Sequence, residues 1–389
     1  MKKTIRDVDV SNKRVLVRVD FNVPLKNGKV TNDNRIRAAL PTIRYLLDQN
    51  ARVILCSHLG RPKGEVVEDL RLDPVANRLS ELLGMKVNKA GDCVGPEAEE
   101  AVEQLQAGRV LLLENTRFHP GEKKNDIDFA EKLAKLADLF VNDAFGAVHR
   151  AHASTEGVAH RLPSVAGLLM AEELETLSRL LEAPEKPFIA VLGGAKVSDK
   201  IGVIQHLLAQ VDGLLIGGGM ANTFLKAKNL EVGRSLVEEG SLGEAKQILD
   251  TAEDRLVLPL DAVVAKELAE DAAPKTVSIN EVPQDEKILD IGPQTIDLFK
   301  NKMGSAKTVV WNGPLGAFET SPFAEGTMAI ARLLPDLDAA TIVGGGDTVP
   351  AIQQVGVEEK ITHISTGGGA FLDFLQGKEL PGVAALEDK

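Results

Sequence analysis

Four segments of the chain set a run of glycines at the end of an apolar stretch: LGGAKVSDK (192–200), IGGGMAN (216–222), VGGGDTVP (343–350) and STGGGA (365–370). Glycine lets backbone approach a ligand closely, and the free N–H groups at a helix start suit phosphate oxygens. Such a site needs counter-charge. Lys196 and Lys200 in the first segment supply it, and their spacing predicts that they share one helix face. In VGGGDTVP, Asp347 and Thr348 are candidates to cap a helix or hold Mg²⁺, and Pro350 suits a first helical turn. STGGGAFLDFLQG reads as strand end, glycine turn and helix, stopped by Gly377. No G-x-x-x-x-G-K-[ST] phosphate loop occurs, and Gly217, Gly219 and Asn222 break the dinucleotide fingerprint G-x-G-x-x-G. One triplet alone reads as a tight turn; four, with two lysines and an aspartate, point to phosphate.

The first half carries a different pattern. RVDFNVP (18–24), SHLGRPKG (57–64), ENTRFHPGE (114–122) and NDAFGAVHRAH (142–152) place basic residues just beyond apolar runs. They are Arg61 with His58, Arg117 with His119, and Arg150 with His149 and His152; Arg35 and Arg37 follow the first run and its loop. Guanidinium forks match carboxylate and phosphate oxygens, so this set reads as a polyanion pocket. Some of these residue types have duller uses. Arg18, two residues before Asp20 inside a strand, is expected in a buried salt bridge, and Arg37 and Arg44 on a solvated helix surface. His119, His160, His206 and His363 read as structural or solvated. No Ser-His-Asp pairing, Cys-His pairing or metal-ligand cluster stands out. The second half therefore reads as a nucleotide site and the first as an acceptor site. Phosphoryl transfer asks little of a protein beyond positioning and charge neutralisation.

The elements that must position these residues are legible as alternating patterns. Strands are expected at 14–20, 51–57, 109–115, 139–143, 188–193, 213–219, 307–313, 340–346 and 361–367, with amphipathic helices such as 73–84 and 128–137 between them. That alternation predicts an α/β fold with parallel sheets flanked by helices. At 389 residues two domains are expected, and MAEELETLSRLLEA (170–183) followed by PEKP (184–187) reads as a helical connector between lobes. The net charge of −12 and 4% aromatic content argue against nucleic acid or an anionic membrane as partner. The negative charge lies mostly in the second half, leaving the first better suited to a polyanion. Two cysteines, Cys56 and Cys93, make no disulfide framework and read as buried, inert thiols. The start MKKTIRDVDV is not a signal peptide and no long apolar span occurs, so a reducing cytosol is the expected compartment.

RVDFNVP, SHLGRPKG, LLLENTRFHPGE, FGAVHRAHAS, GGAKVSDK, WNGPLGAFE and GGGDT occur in the order found in the phosphoglycerate kinase family, which the chain resembles over essentially its whole length. The resemblance implies reversible transfer between 1,3-bisphosphoglycerate with MgADP and 3-phosphoglycerate with MgATP. It implies two Rossmann-like lobes joined by a connecting helix and closing by a hinge. The divisions would be a 3-phosphoglycerate domain at 1–170, a connector at 171–185, a nucleotide domain at 186–372 and a tail at 373–389 returning to the first domain. Residue by residue, it implies that Asp20, Phe21, Asn22, Arg35, His58, Leu59, Gly60, Arg61, Arg117 and Arg150 bind the acceptor, with Arg35 also reaching the reacting carboxylate. It assigns Gly194, Lys196, Lys200, Asn312, Glu319, Gly345, Gly346, Asp347 and Thr348 to the nucleotide, with Asp347 holding Mg²⁺. Thr366, Gly367, Gly368 and Gly369 would open the helix that aids the moving phosphoryl group, so that Arg35, Lys196, Lys200, Gly368 and Gly369 are the implied catalytic set. A monomer is the implied state.

Overall fold

The computed structural model describes all 389 residues, Met1–Lys389. The chain divides into two compact units, one of Met1–Glu175 with Glu379–Lys389, the other of Thr176–Lys378.

The first unit is built on a six-stranded parallel sheet in the order Asn88–Lys89, Arg109–Leu112, Arg52–Cys56, Arg14–Arg18, Leu139–Asn142, Ser164–Ala166. Its central strands read as near-continuous apolar runs because both faces are covered. Val15, Val17, Val53, Leu55, Val110, Leu112 and Val141 enter one core, while Leu16, Ile54, Cys56, Leu111 and Phe140 enter the other. Helix Asn34–Asp48 lays Ile36, Ala39, Leu40, Ile43 and Leu46 on the first of these cores. Helix Asp73–Leu83 is stopped by Gly84 in the left-handed region, at φ +68°. The last residues pack on this unit: the Gly382 N–H donates to Val148, Asn142 Nδ2 donates to the Gly382 carbonyl, and Lys2 pairs with Asp388 at 3.1 Å.

The second unit repeats the plan. Its six parallel strands run Leu256–Val257, Gly213–Ile216, Phe188–Leu192, Thr308–Asn312, Ala340–Gly344, His363–Ile364. All nine strands expected from the sequence are present. An antiparallel sheet that the sequence reading did not foresee, Lys275–Ser278, Asp261–Ala265, Lys287–Ile291, adds a flank to this unit. Helix Leu168–Glu182 crosses the chain position where the units divide. No helix is long and apolar enough to cross a membrane.

Asp143, just past the strand Leu139–Asn142, is fully buried, and its Oδ1 accepts the Met170 N–H at 3.2 Å in the first turn of helix Leu168–Glu182. Burial pushes its carboxyl up to about 7, against the opposing Thr42 hydroxyl and the Met170 and Leu169 N–H groups. The folded chain thus holds this proton where the unfolded chain has lost it, so this group's contribution to stability falls as pH rises from about 4 to about 7. Asp143→Asn is expected to remove that loss. The gain over the parent should grow through this window to at most about 4 kcal/mol. Guanidinium midpoints measured at several pH values check it, and a pH-independent difference would refute the assignment.

Candidate active site

In the first sheet the chain steps outward from strand Arg14–Arg18 to one side and later returns to its other side with Leu139–Asn142. Crevices for ligands form at the carboxyl ends of strands where the order reverses in this way. Asp20, Phe21 and Asn22 leave the first strand here, and Ser57, His58 and Leu59 leave its neighbour. Ser57 Oγ accepts the Phe21 N–H at 2.9 Å, and Asn22 Oδ1 accepts the Gly60 N–H at 2.8 Å, so the two loops are tied together. Asn115 fixes a third loop by donating to the Leu59 carbonyl at 2.8 Å and accepting the N–H groups of Leu59 and Arg117.

On this scaffold Arg35, in the first turn of helix Asn34–Asp48, donates to the Asn22 carbonyl at 2.9 Å and lies 3.3 Å from the Asp20 carboxylate. Arg117 donates to the Gly60 carbonyl at 2.8 Å, and its Nε is buried without a partner. Burial first, and then the charge of Arg18, draw Arg117 down to about 10. His58 is buried, and Arg18 donates to its Nδ1 at 2.9 Å. Burial, Arg18, Arg117, Arg35 and His152 hold the His58 imidazole well below its ordinary range. With Nδ1 accepting, the proton of the neutral ring sits on Nε2, leaving an N–H donor for an anion. His152 is drawn down to about 4, chiefly by burial. Arg61 and Arg150 are exposed, and Arg150 acts on both Arg117 and His152 through its charge. So many cations with so few carboxylates make a field for a polyanion.

Arg18 departs from expectation. It is buried but forms no salt bridge, donating instead to Ser154 Oγ at 2.8 Å as well as to His58. Ser154 in turn donates to the buried Glu122 at 2.6 Å. A hydroxyl thus stands between guanidinium and carboxylate, and Arg18 becomes the residue that sets the tautomer of His58. The sequence reading missed this role, and also Asn115 and Ser154; a strand-interior arginine in an otherwise apolar run was the available signal. Arg37 pairs with Asp33 at 2.9 Å, and Arg44 is exposed. Both cysteines are free and buried, and burial pushes the Cys56 thiol up to about 12. The expectation of no metal-ligand cluster is corrected: Asp92, Cys93 and His119 bring donor atoms within 4.8 Å of one another. Asp92 and His119 are hydrogen-bonded at 2.6 Å, so the imidazole has a partner within the cluster.

In the second unit the corresponding reversal lies between Phe188–Leu192 and Thr308–Asn312. Gly313, at φ +94°, passes so close to the other strand end that a Cβ would stand 2.4 Å from the Gly193 carbonyl oxygen and 2.5 Å from Lys200 Nζ. Only glycine allows this crossing. Lys200 is buried there, donating to the Gly193 carbonyl at 2.6 Å and the Asn312 carbonyl at 3.0 Å. Burial draws its ammonium down to about 8, opposed by Asp347 and Asp199. Lys196 and Lys200 do not share a helix face. Residues 193–200 form a loop turned at Gly194, helix Ile201–Leu208 begins only afterwards, and Lys196 is exposed.

Asn312 donates to the Gly344 carbonyl at 2.8 Å, and Thr348 Oγ1 accepts the Gly313 N–H at 2.6 Å, so the loop 345–348 is fastened to the same strand end. Gly345 has φ +107°, while Gly346 and Asp347 are exposed. Helix Gly368–Leu375 starts at Gly367, with Gly369 exposed, and Gly377 past its end has φ +71°. Beside these loops lies a cavity of about 470 Å³, with Gly194, Glu319 and Asp347 in its lining. Its walls include Leu236, Leu289, Pro314 and Leu315, and IGGGMAN contributes Gly218 and Gly219. Pro314 and Leu315 fall within WNGPLGAFE, but Leu236 and Leu289 carry no motif, and the sequence reading assigned none of the four to the site. A mostly apolar cavity beside glycine loops and lysines has the chemistry of a nucleotide site.

One α/β unit with a cationic anion pocket and another with lysines and glycine loops around a nucleotide-sized cavity define the class: a two-unit small-molecule kinase. The comparisons agree. Residues 5–378 match the family Phosphoglycerate kinase. Over the full length of both chains the sequence is 61% identical to "Phosphoglycerate kinase" of Pelotomaculum thermopropionicum and 60% identical to that of Moorella thermoacetica. The solved structure of phosphoglycerate kinase from Coxiella burnetii superposes with a TM-score of 0.89 at 44% identity, covering 99% of this chain and 98% of that one. The chain belongs to the phosphoglycerate kinase family.

Proposed function

We propose that the chain transfers a phosphoryl group reversibly between 1,3-bisphosphoglycerate with ADP and 3-phosphoglycerate with ATP, the ATP-forming step of glycolysis. The full-length relationship to relatives named phosphoglycerate kinase carries this reading. The first unit takes the acceptor. Arg61, Arg117 and Arg150 receive its phosphate, and Asp20, Asn22 and the Nε2–H of His58 orient the glycerate. Arg35 stands at the carboxylate that is phosphorylated. Phe21, Leu59 and Gly60 supply the backbone that frames it.

The second unit takes the nucleotide, with base and ribose in the cavity and Glu319 on the ribose. Lys196, Lys200, Asn312, Gly194 and the loop 345–348 receive the phosphates, and Gly368 and Gly369 present helix N–H groups to the moving group. Asp347 fits Mg²⁺: it offers one exposed carboxylate on a glycine loop, and Mg²⁺ is commonly held by one or two carboxylates with phosphates and water. When bound, the ion neutralises phosphate charge. The protein's own share is positive charge placed where the transferred oxygens lie, which lowers the barrier because the donors need not reorganise. On this reading the chain acts as a cytosolic monomer, without nucleic acid or membrane.

The test is ADP release from MgATP with and without 3-phosphoglycerate, with hydroxylamine present to trap the acyl phosphate. Release is expected only with 3-phosphoglycerate, and to cease when EDTA removes Mg²⁺. Equal release without the acceptor would overturn the assignment.

A further inference from the structure

We propose that Asp290 is a positioning residue for the nucleotide cavity, its carboxylate locking the wall segment 313–319 and the start of helix Glu325–Leu333 against the strand Lys287–Ile291. The inference rests on the reading of that cavity as the nucleotide site. Asp290 is 2% exposed and lies on the cavity lining with its strand neighbours Lys287, Ile288, Leu289 and Ile291. Its Oδ2 accepts the Gly326 N–H at 2.7 Å at the helix start, and its Oδ1 accepts the Ile291 N–H at 2.9 Å. Both oxygens are therefore committed as acceptors.

The same carboxylate fills space that two glycines leave empty. A Cβ on Gly316 would stand 2.1 Å from Oδ1, and one on Gly326 would stand 2.3 Å from it. One residue after Gly316, the Ala317 N–H donates to the Leu289 carbonyl at 2.8 Å. The wall loop is thus pinned at two consecutive strand residues, by main chain at Leu289 and by close packing at Asp290. Pro314, Leu315, Gly316, Ala317 and Glu319 all line the cavity, so the side chain at 290 decides where that wall stands. Burial raises the Asp290 carboxyl to about 7 while the Gly326 and Ile291 N–H groups favour its anion.

The substitution that isolates this task is Asp290→Asn. It keeps the size of the side chain but turns an NH₂ toward one of two N–H groups, so one contact is lost. By titration calorimetry with ADP alone, the Kd should rise by about tenfold or more, the effect of losing about 1.4 kcal/mol. KM for 3-phosphoglycerate should remain at the parent value. Gly316→Ala, which pushes the same contact from the loop side, should give the same selective loss and serves if Asp290→Asn fails to fold. Unchanged ADP affinity in both variants would overturn the proposal. So would equal losses for ADP and 3-phosphoglycerate, which mark general loosening. Failure of the parent protein to bind ADP would instead remove the nucleotide reading, and this inference with it.

Discussion

Arg35→Ala lowers kcat by about two to three orders of magnitude, while ADP affinity stays at the parent level. This is the expected result, and its size follows from where the charge sits. Removing one preorganised donor from a developing oxyanion costs about 10²–10³ in rate. Arg35 is half-buried and aimed by two contacts, the Asn22 carbonyl at 2.9 Å and the Asp20 carboxylate at 3.3 Å. A guanidinium held in that way needs no reorganisation when charge develops on the acceptor carboxylate. ADP affinity should not follow, because every nucleotide ligand proposed above belongs to the second unit. Stability should change little, since no core side chain is removed and the lost contacts are partly solvated. Steady-state kinetics in 3-phosphoglycerate and calorimetry with ADP check both halves. Near-normal turnover would remove Arg35 from the reacting centre, and a parallel fall in ADP affinity would show that the loss is global.

The parts of the fold that the sequence revealed share one physical cause. A parallel strand covered on both faces is apolar at nearly every position, so runs such as the VLV of RVLVR and FIAVL stand out. The strands KTVS and KILDI, partly exposed in an antiparallel sheet, carry polar residues among apolar ones and blend into loop. Site residues divide in a similar way. Glycines, arginines and lysines beyond strand ends announce themselves by type. The spacing of Lys196 and Lys200 misled because four residues mean one face only inside a helix, and here the backbone turns at Gly194. Arg18 shows a further limit. Whether it pairs with a carboxylate or orients an imidazole depends on Ser154, which is distant in sequence and supplied only by folding. The cavity walls lie beyond sequence reading for the same reason, since Leu236 and Leu289 acquire their role from position alone.

The two lysines of that loop should separate sharply on mutation. Lys200→Met removes an ammonium that donates to the Gly193 and Asn312 carbonyls at the strand reversal. The Gly193 carbonyl then loses that donor, at about 1–3 kcal/mol, while the Asn312 carbonyl keeps the Gly193 N–H at 3.0 Å. The same ammonium has three N–H donors and spends two on these carbonyls, leaving the third for a phosphate oxygen. The variant should therefore lose about 10²-fold or more in kcat and be measurably easier to unfold. Lys196 is exposed, so Lys196→Met should lower kcat with stability unchanged to about 0.5 kcal/mol. The pH dependence of the parent gives an independent reading. Burial draws Lys200 down to about 8 from 10.5, so between these values the unfolded chain holds a proton that the folded chain has released. Its contribution to stability accordingly rises with pH across that window, while activity falls as the ammonium loses its charge. Lys200→Met should abolish the stability slope there, and Lys196→Met should leave it intact. Equal unfolding midpoints for the two variants, with the slope preserved in both, would mean that Lys200 does not hold the strand reversal together.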